Sequence, residues 1–392
     1  MKRLFLCIAA AAMLLGACER TPENLVQEGD YIKTSLEVIP GQYVVLLQGD
    51  FGYVKSDAMS YDDTQIAMTG ITKNILAKAG ITGREPLNVY SSAIQGFAVN
   101  LSESEVAALE KNPNVRGIWP DMMFILAKPG TNPSVPPAQQ TPYGITRVGG
   151  PTTYTSSAKA WIIDTGIDLD HPDLNVNTSL AKSFVLRVAS ADDDNGHGTH
   201  CAGIVAAKNN TIGVVGVAAG ATVVPVKVLD RRGSGAYSII IAGVDYVVVN
   251  AKAGDVANMS LGGSAYTPID DAVIAMANAG VRVSLAAGNE SDNANYHSPA
   301  RANGTNIYTI SACDVNDKWA YFSNFGNPPI DYCAPGVSIY STYKGGGYAT
   351  MSGTSMAAPH ACGVLLATGG NPKTSGYVLN DPDGKPDPII HE

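Results

Sequence analysis

The sequence predicts an α/β protein with a mainly parallel sheet flanked by helices, preceded by a small α+β domain of the ferredoxin-like type. Two patterns indicate this. After residue 158, apolar runs are continuous rather than alternating, which is typical of parallel strands buried on both faces, and helical stretches separate them. Before residue 128, the order is strand, helix, strand, strand, helix, strand. With 392 residues, 45% of them hydrophobic, the chain can bury a large core.

The small domain is predicted from local signals. Strands are expected at 43–47, within 87–99 around a turn, and at 115–125. Amphipathic periodicity predicts a helix at 63–79. Ser102, with Glu105 three residues later, forms the capping box of a second helix that runs to Lys111.

In the larger domain we expect a helix at 356–368 and parallel strands at 160–163, 222–228, 256–260, 281–286 and 307–310. Ligands of such sheets lie at the carboxyl ends of the strands, so motifs at those ends are the first candidates for chemistry. The stretch 128–142 carries five prolines and is typical of an exposed linker that is open to proteolysis. The predicted segments are therefore a signal peptide at 1–17, a tether at 18–39, the small domain at 40–127, the cleavable linker at 128–142 and the large domain at 143–392.

The first residues are typical of an export signal. Lys2 and Arg3 precede an apolar run that ends at Leu15 and is too short to span a bilayer comfortably. The run that ends at Cys18 resembles the processing site of bacterial lipoproteins, which implies acylation of Cys18 and membrane contact only through that lipid. An ordinary cleaved signal is the alternative. Both alternatives predict an exported protein, either a cell-envelope lipoprotein or a secreted one.

Charge and cysteine content narrow the partners. The chain has 26 basic and 35 acidic residues, a net charge of −9, which does not provide the positive field that nucleic acid requires. Four cysteines lie beyond the signal region and could pair in three ways: Cys201, Cys313, Cys333 and Cys362. Cys313 and Cys333 fall on neighbouring core segments and are the expected pair.

Two motifs suggest an acid and a base. Asp164 ends an apolar strand in WIIDTGIDLDHPDL; a solvated loop residue is the alternative, but a carboxylate at a strand tip is placed to orient a histidine. His197 stands between Gly196 and Gly198 in DDDNGHGTHCAG, which leaves its ring room beside a partner, and imidazole titrates near neutrality. Metal binding by His197 and His200 is the alternative, although the His-Glu-x-x-His pattern is absent.

Two further motifs suggest a nucleophile and an oxyanion donor. Ser355 lies in GTSMAAPH, where Gly353 and the alanines let a substrate carbonyl approach, and a helix N-terminus supplies N–H groups. A simple helix cap would not need such small neighbours. Asn289 follows a strand in SLAAGNE; a turn role is the alternative, but its amide is the second donor that acyl transfer requires. The other histidines are interpreted as structural or surface residues: His171, His297, His360 and His391.

In this order, the four motifs resemble those of the subtilases, the subtilisin-like serine proteases, over about residues 139–367. The resemblance implies a serine endopeptidase with a subtilisin-like sheet that acts on proteins or peptides through an acyl-enzyme. It implies that Ser355 is the nucleophile, that His197 is general base and then acid, and that Asp164 orients the imidazole. Asn289 and the Ser355 N–H would bind the oxyanion. Cys201 resembles the thiol of the proteinase K branch, which implies a buried thiol beneath the imidazole.

The resemblance also implies a substrate cleft. Two edge segments would hold an extended substrate as an added strand: Gly233, Ser234 and Gly235 on one side, and Ser260, Leu261, Gly262 and Gly263 on the other. The wall Ala286, Ala287 and Gly288 would leave a broad apolar pocket. Cleavage is therefore expected after large apolar or aromatic residues.

The loop AAKNNTIGV resembles the family's calcium site, with an Asn-rich turn as the alternative. The resemblance implies one structural Ca²⁺ held by oxygen atoms of Asp173, Lys208, Asn210, Ile212 and Val214. The small domain resembles the family's inhibitory propeptide, which implies a zymogen that cuts itself and a monomer whose own propeptide inhibits it. A permanently attached binding domain is the alternative.

Two other functions are open. A catalytically idle homologue could serve as an envelope binding protein, but it would lack a triad or oxyanion residue, and this sequence has all four. A relative that transfers the acyl group to an amine, as a ligase does, would differ in how its cleft excludes water.

Overall fold

The computed structural model of the protein describes residues 31–49, 59–126 and 137–392. The predicted signal peptide, Cys18 and most of the predicted linker lie outside these residues. In the part of the chain that is described, no helix has both the length and the apolar character needed to cross a membrane.

The small domain has the predicted order of elements. These are β1 (Thr34–Leu47), α1 (Tyr61–Lys78), β2 (Pro86–Tyr90), β3 (Gly96–Asn100), α2 (Glu103–Leu109) and β4 (Val115–Leu126). The strands form an antiparallel sheet in the order β4-β1-β3-β2. The capping box of Ser102 and Glu105 is present. Fully buried Val45, Phe97 and Leu109 contribute to a separate core.

The first strand is longer than predicted. It begins at Thr34, inside the predicted tether, whereas apolar alternation predicted a strand only from residue 43. Residues 34–38 pair antiparallel with residues 122–126 of β4. Backbone pairing, rather than a buried side-chain pattern, orders this polar stretch, and sequence periodicity does not report such pairing.

The large domain contains short two-residue strands as well as the main sheet. Its helices are α3 (Tyr143–Arg147), α4 (His197–Ala206), α5 (Tyr237–Asn250), α6 (Thr267–Asn278) and α7 (Thr354–Ala367). Its strands are β5 (Thr152–Thr153), β6 (Ala160–Asp164), β7 (Asn175–Val176), β8 (Lys182–Ser183), β9 (Ala218–Ala219), β10 (Thr222–Lys227), β11 (Ser234–Ala236), β12 (Val256–Met259), β13 (Gly263–Ser264), β14 (Arg282–Ala286), β15 (His297–Ser298), β16 (Ile307–Cys313), β17 (Ile330–Pro335), β18 (Ile339–Tyr343), β19 (Gly347–Met351), β20 (Lys373–Tyr377) and β21 (Pro388–His391).

The central strands are parallel, in the order β17-β16-β14-β12-β6-β10. This confirms the prediction made from continuous apolar runs. Helices α4 and α7 pack against each other and against the sheet, and so do α5 and α6. Trp161 of β6 is fully buried. Asp164 is the last residue of β6, and Asn289 lies in the loop that follows β14, so both are at the carboxyl ends of parallel strands.

The small domain docks on the large one through backbone and carboxylate contacts. Strand β4 pairs antiparallel with β11, so a segment of the large domain extends the small domain's sheet. Asp245 of α5 is buried and accepts hydrogen bonds from the backbone N–H groups of Ser92 (2.6 Å) and Ala93 (2.7 Å). Asp121 of β4 accepts one from the N–H of Ser238 at the start of α5.

Candidate active site

Asp164 and His197 form a buried pair. Asp164 is the last residue of β6, and His197 is the first residue of α4; both are fully buried. His197 Nδ1 lies 2.8 Å from Asp164 Oδ1 and 2.9 Å from Oδ2. A carboxylate at this distance holds the proton on Nδ1 and leaves Nε2 as the basic nitrogen.

Glycines make this approach possible. A Cβ added to Gly198 would come within 2.1 Å of the Gly166 carbonyl oxygen, so no other residue fits between α4 and the loop after β6. Gly196 precedes the helix with φ +114°, a conformation that favours glycine. The glycines beside His197 are therefore required by packing as well as by access to the imidazole.

Asp193 joins the segments that carry the pair, a role that nothing in its run of three aspartates indicates. Its carboxylate accepts hydrogen bonds from the Thr165 hydroxyl (2.9 Å), the Gly196 N–H (2.8 Å) and the Thr199 hydroxyl (2.6 Å). Burial raises the pKa of Asp193 above its ordinary value, and the hydrogen bonds from Gly196 and Thr199 oppose this rise. Asp193 thereby ties the residue after Asp164 to the residues on both sides of His197.

Ser355 lies near the N-terminus of α7, next to α4. Its carbonyl oxygen accepts a hydrogen bond from Cys201 Sγ (3.4 Å) and another from the Ser260 hydroxyl (2.8 Å). Cys201 also connects Ser355 to the acid–base pair. A carboxylate oxygen of Asp164, a ring nitrogen of His197 and the Sγ of Cys201 lie within 4.8 Å of one another. The serine and the imidazole are thus brought to the same end of the sheet by residues on three elements.

The Ser355 hydroxyl donates to the Ser260 carbonyl oxygen (3.2 Å), and among the described residues His197 Nε2 has no hydrogen-bond partner. The hydrogen bond between nucleophile and base is therefore not formed in this state. Such bonds are often long or misaligned before substrate binds. A rotation of the Ser355 side chain would release Oγ from Ser260.

Asn289 has a fixed orientation. Its Oδ1 accepts hydrogen bonds from the Thr354 N–H (2.8 Å) and hydroxyl (2.9 Å), which turns Nδ2 away from α7. Nδ2 donates to the backbone carbonyl oxygen of Ile32 (2.9 Å). An amide held in this way is a hydrogen-bond donor for a carbonyl or an oxyanion.

The predicted cleft segments lie around these residues. Gly233 accepts from the Leu126 N–H (3.0 Å), and Ser234 and Gly235 belong to the strand that pairs with β4. Ser260 contacts Ser355 as described, and Leu261 is buried. Gly263 lies under the side chain of Leu36, so at this edge the neighbour is β1 rather than β4. Strands β4 and β1 of the small domain therefore lie along the two edge segments between which an extended substrate was expected.

The predicted apolar wall lies at the end of β14 and in the loop that follows it. Ala286 ends β14, Ala287 is fully buried, and Gly288 has φ +105° and donates its N–H to the Thr354 hydroxyl (3.1 Å).

In the Asn-rich loop, the Asp173 carboxylate accepts hydrogen bonds from Asn210 Nδ2 (2.7 Å) and from the Val214 N–H (3.1 Å).

Two other residues of this loop have backbone roles. The Lys208 N–H donates to the Asp173 carbonyl, and the Ile212 N–H donates to Asn210 Oδ1. Gln139 also belongs here, since its Oε1 accepts from the Asn210 N–H and its Nε2 donates to Asn209. Gln139 was not among the predicted residues because it is about 70 positions away in the chain.

The cysteine prediction is partly wrong. All four cysteines of the described residues are free thiols, so the expected disulfide between Cys313 and Cys333 is not formed. The two residues lie on adjacent strands but out of register, because Cys313 pairs with Pro335 and Cys333 with Ser311. The prediction of a buried Cys201 thiol is confirmed, and burial raises its pKa well above the ordinary value.

His200 does not share a site with His197. Its Nε2 lies 3.1 Å from the carbonyl oxygens of Ile339 and Ala349, and burial lowers its pKa to about 3. A ring held between two carbonyls carries its proton on Nε2 and is neutral. The alternative of a shared His197–His200 metal site therefore finds no support in this geometry.

An acid–base pair, a helix-terminal serine and a fixed amide at one end of a parallel sheet define a serine hydrolase of the α/β class. The chain belongs to the subtilase family, whose model matches residues 158–378. The model of peptidase inhibitor I9 matches residues 42–127.

Curated relatives and a solved structure agree with this assignment. The chain is 35% identical over 384 residues to the extracellular serine proteinase of Thermus sp. (strain Rt41A), covering 93% of this chain and 89% of that protein. It is 36% identical to proteinase R of Parengyodontium album, covering 71% and 70%. The crystal structure of a cold adapted subtilisin-like serine proteinase matches with a TM-score of 0.56 at 35% identity, covering 64% of this chain and 97% of that one.

The protein is thus a serine endopeptidase of the subtilase family that carries an I9-type inhibitor domain, as expected of an autoprocessed zymogen. The predicted subtilisin-like fold with a preceding α+β propeptide domain is confirmed.

Proposed function

We propose that Asp164, His197, Ser355 and Asn289 carry out peptide-bond hydrolysis. The observation that supports this most directly is the buried Asp164–His197 pair at 2.8 Å, with Nε2 free to accept a proton. The hydroxyl of Ser355 and the amide Nδ2 of Asn289 are the remaining groups that acyl transfer requires.

The proposed chemistry follows from these atoms. Ser355 Oγ attacks the substrate carbonyl carbon and gives its proton to His197 Nε2. Asn289 Nδ2 and the Ser355 N–H donate to the oxyanion, and Asp164 stabilises the imidazolium. His197 then protonates the departing amine as the C–N bond breaks. Water attacks the acyl-enzyme in the same way, releasing the acid and restoring the serine.

We also propose that the cleft binds substrate as an added strand and prefers large apolar or aromatic residues before the cut. The pairing of β4 with β11 supports the first part, because in it this edge hydrogen-bonds to an extended segment of the same chain. The small side chains of Ala286 and Ala287 and the bare Gly288 support the second, since they leave room for a large side chain.

The small domain, proposed as residues 40–127, would block the cleft until the linker at 128–142 is cut. The hydrogen bonds of Asp245 of α5 with the small domain and of Asp121 with α5, together with the strand pairing with β11, support an inhibitory complex. We further propose export of a monomer, with a lipid anchor on Cys18 that the sequence motif supports. The name of the Thermus relative, an extracellular proteinase, is consistent with export.

The proposed roles predict that Ser355→Ala abolishes self-processing. In this variant no nucleophile reaches the linker, so the full chain persists, while the wild type sheds its N-terminal part. Mass spectrometry follows the cut, and a fluorophosphonate probe, which reacts with activated serines, labels the wild type alone. Ser179→Ala, an exposed serine distant from the site, is the matched control and should behave as wild type. An uncut and unlabelled wild type would contradict the assignment.

We propose that the Asn-rich loop binds one structural Ca²⁺ through Asp173, Asn210 and the carbonyls of Lys208, Ile212 and Val214. The donor set fits, because Asp173 is a fully buried carboxylate and its hydrogen-bond donors, Asn210, Val214 and Tyr348, are neutral. Burial raises the pKa of Asp173, a cost that a bound cation would remove. Hard oxygen ligands of this kind suit calcium.

Calcium removal should therefore lower thermal stability. With Ca²⁺ at a hundred times its Kd, binding contributes about 2.7 kcal/mol, and a domain of this size should lose about 5–10 °C in Tm on chelation. The measurement is calorimetry of the uncut Ser355→Ala chain with calcium or a chelator. Asp173→Asn should remove the response, whereas Asp170→Asn, at an exposed position of the same loop, should keep it. A Tm that does not depend on calcium would leave the loop as a plain turn.

A further inference from the structure

The N-terminal end of β1 and the residues just before it lie in the candidate active site. We call residues 31–36 the N-terminal strap. Ile32 is fully buried; its N–H donates to the Ser352 carbonyl (3.1 Å), and its carbonyl accepts from Asn289 Nδ2 (2.9 Å). Both backbone groups of one residue are thus held by the large domain, next to the serine.

The flanking residues of the strap add contacts on both sides. The Tyr31 ring stacks on Phe322 with centroids 5.0 Å apart and meets Tyr321 edge-on at 5.5 Å. The Thr34 hydroxyl donates to Glu290 Oε1 (2.6 Å). The Leu36 side chain covers Gly263, where an added Cβ would come within 2.6 Å of it.

The strap runs in the opposite direction to β4. Residues 34–38 pair antiparallel with residues 122–126 of β4, and β4 pairs antiparallel with β11. Strand β4 leads towards the linker that must be cut, so its direction is the one in which a cleavable chain enters the cleft. The backbone of the strap therefore enters the cleft in the direction opposite to that of a cleavable chain.

Reversed polarity makes the Ile32 carbonyl a poor substrate. In a chain that runs as β4 does, the residues before the cut lie along β11 and the departing amine lies beyond the serine. The strap runs the other way: residues 34–36, which follow Ile32 in the chain, pair with residues 124–126 of β4 and so lie beside the segment that precedes the cut. The nitrogen that would have to leave thus points to the acyl side of the cleft, where His197 cannot deliver a proton to it in the productive geometry.

We propose that the N-terminal strap is a second inhibitory element, separate from the I9-like domain, which fills the oxyanion pocket with reversed backbone polarity and resists cleavage. This rests on the proposed role of Asn289 and Ser355. The proposal assigns to the catalytic domain a site for a peptide that runs opposite to β4 and has an aromatic residue followed by an aliphatic one. The aromatic residue binds Tyr321 and Phe322, and the aliphatic one lies at Asn289.

The test uses the full chain with Tyr31→Ala and Ile32→Asp together. A fluorophosphonate needs the oxyanion pocket that Ile32 fills, so the uncut band of this variant should be labelled about tenfold faster or more than the uncut wild type. Val38→Ala, on the same strand but 58% exposed, should leave the rate unchanged. Equal rates in variant and wild type would overturn the proposal. If the self-processed wild type were not labelled at all, the proposed catalytic role of Ser355 would fail instead.

A second measurement does not depend on how the variant folds. A synthetic peptide of residues 31–37, YIKTSLE, is added to the self-processed enzyme. It should inhibit turnover competitively and remain intact by mass spectrometry, whereas a scrambled peptide of the same composition should not inhibit. Cleavage of the peptide after Ile32 would show that it binds as a substrate and would overturn the reversed orientation. Absence of inhibition would also overturn the proposal.

Discussion

The two halves of the candidate active site differ in what holds them. Asp164 and His197 are fully buried, and their contacts, including those through Asp193, are with the permanent fold. Ser355 and Asn289 are also nearly buried, but their reactive atoms contact the Ser260 carbonyl and the Ile32 carbonyl. The first half is assembled in the zymogen, whereas in the second half the Ser355 hydroxyl still has to leave the Ser260 carbonyl and Asn289 has to release the Ile32 carbonyl.

With the proposed roles of these residues, this difference would place the inhibition of the zymogen on the serine side. An acid–base pair built from β6 and α4 cannot be disassembled without disturbing the core, because Gly198 packs directly on the loop after β6. The Ser355 hydroxyl needs only a side-chain rotation, and Asn289 needs only a new acceptor. Blocking the second half is therefore reversible at little cost to the stability of the fold.

The largest effect is expected from breaking the first half. Asp164→Asn should lower kcat by about 10⁴-fold, because an amide no longer holds the proton on Nδ1 and Nε2 ceases to be the base. Turnover of a chromogenic peptide by the processed enzyme is the measurement. Asp170→Asn, an exposed carboxylate nearby, should retain full activity. A loss below tenfold would mean that the pair is structural.

A smaller loss of kcat is expected when a residue of the second half is changed. Asn289→Ala removes one oxyanion donor and should lower kcat by about 10² to 10³-fold with little change in KM. Asn295→Ala, an exposed residue of the following loop, is the matched control. A loss as large as that of Asp164→Asn, or a change confined to KM, would break the distinction between the two halves.

The smallest expected effect is on stability at low pH, and it arises in α4 and α7, the helices that carry His197 and Ser355. His200 of α4 and His360 of α7 are fully buried, and burial lowers their pKa values to about 3 and about 4. The unfolded chain binds their protons near pH 6.5, so stability falls as pH drops from about 6.5 towards the folded pKa values. Each histidine should cost about 2 kcal/mol at pH 5 relative to neutral pH.

Chemical unfolding of the uncut Ser355→Ala chain at pH 7 and pH 5 measures this loss. His200→Gln and His360→Gln should each reduce the dependence on pH, and comparing them shows which helix is the more sensitive to acid. A free energy of unfolding that is equal at both pH values would contradict the neutral, buried state of both rings.

Local signals in the sequence predicted most of the fold. Continuous apolar runs predicted the parallel strands because burial on both faces imposes composition directly, and the Ser102 capping box predicted α2 because a cap involves residues only three positions apart. Asp164 and Asn289 were candidates because polar residues at the carboxyl ends of such strands meet at one edge. Their motifs also carried the resemblance to the subtilases.

What the sequence by itself determined was therefore the order of the elements, the identity of the four candidate residues and the family. Only the tertiary structure decided the hydroxyl position of Ser355, the bridging role of Asp193, the unpaired Cys313 and Cys333, and the insertion of Ile32 at Asn289. Ile32 and Asn289 are 257 positions apart, and their contact depends on strand register and chain direction. No local propensity encodes such a contact, because it forms only when two separately folded units meet.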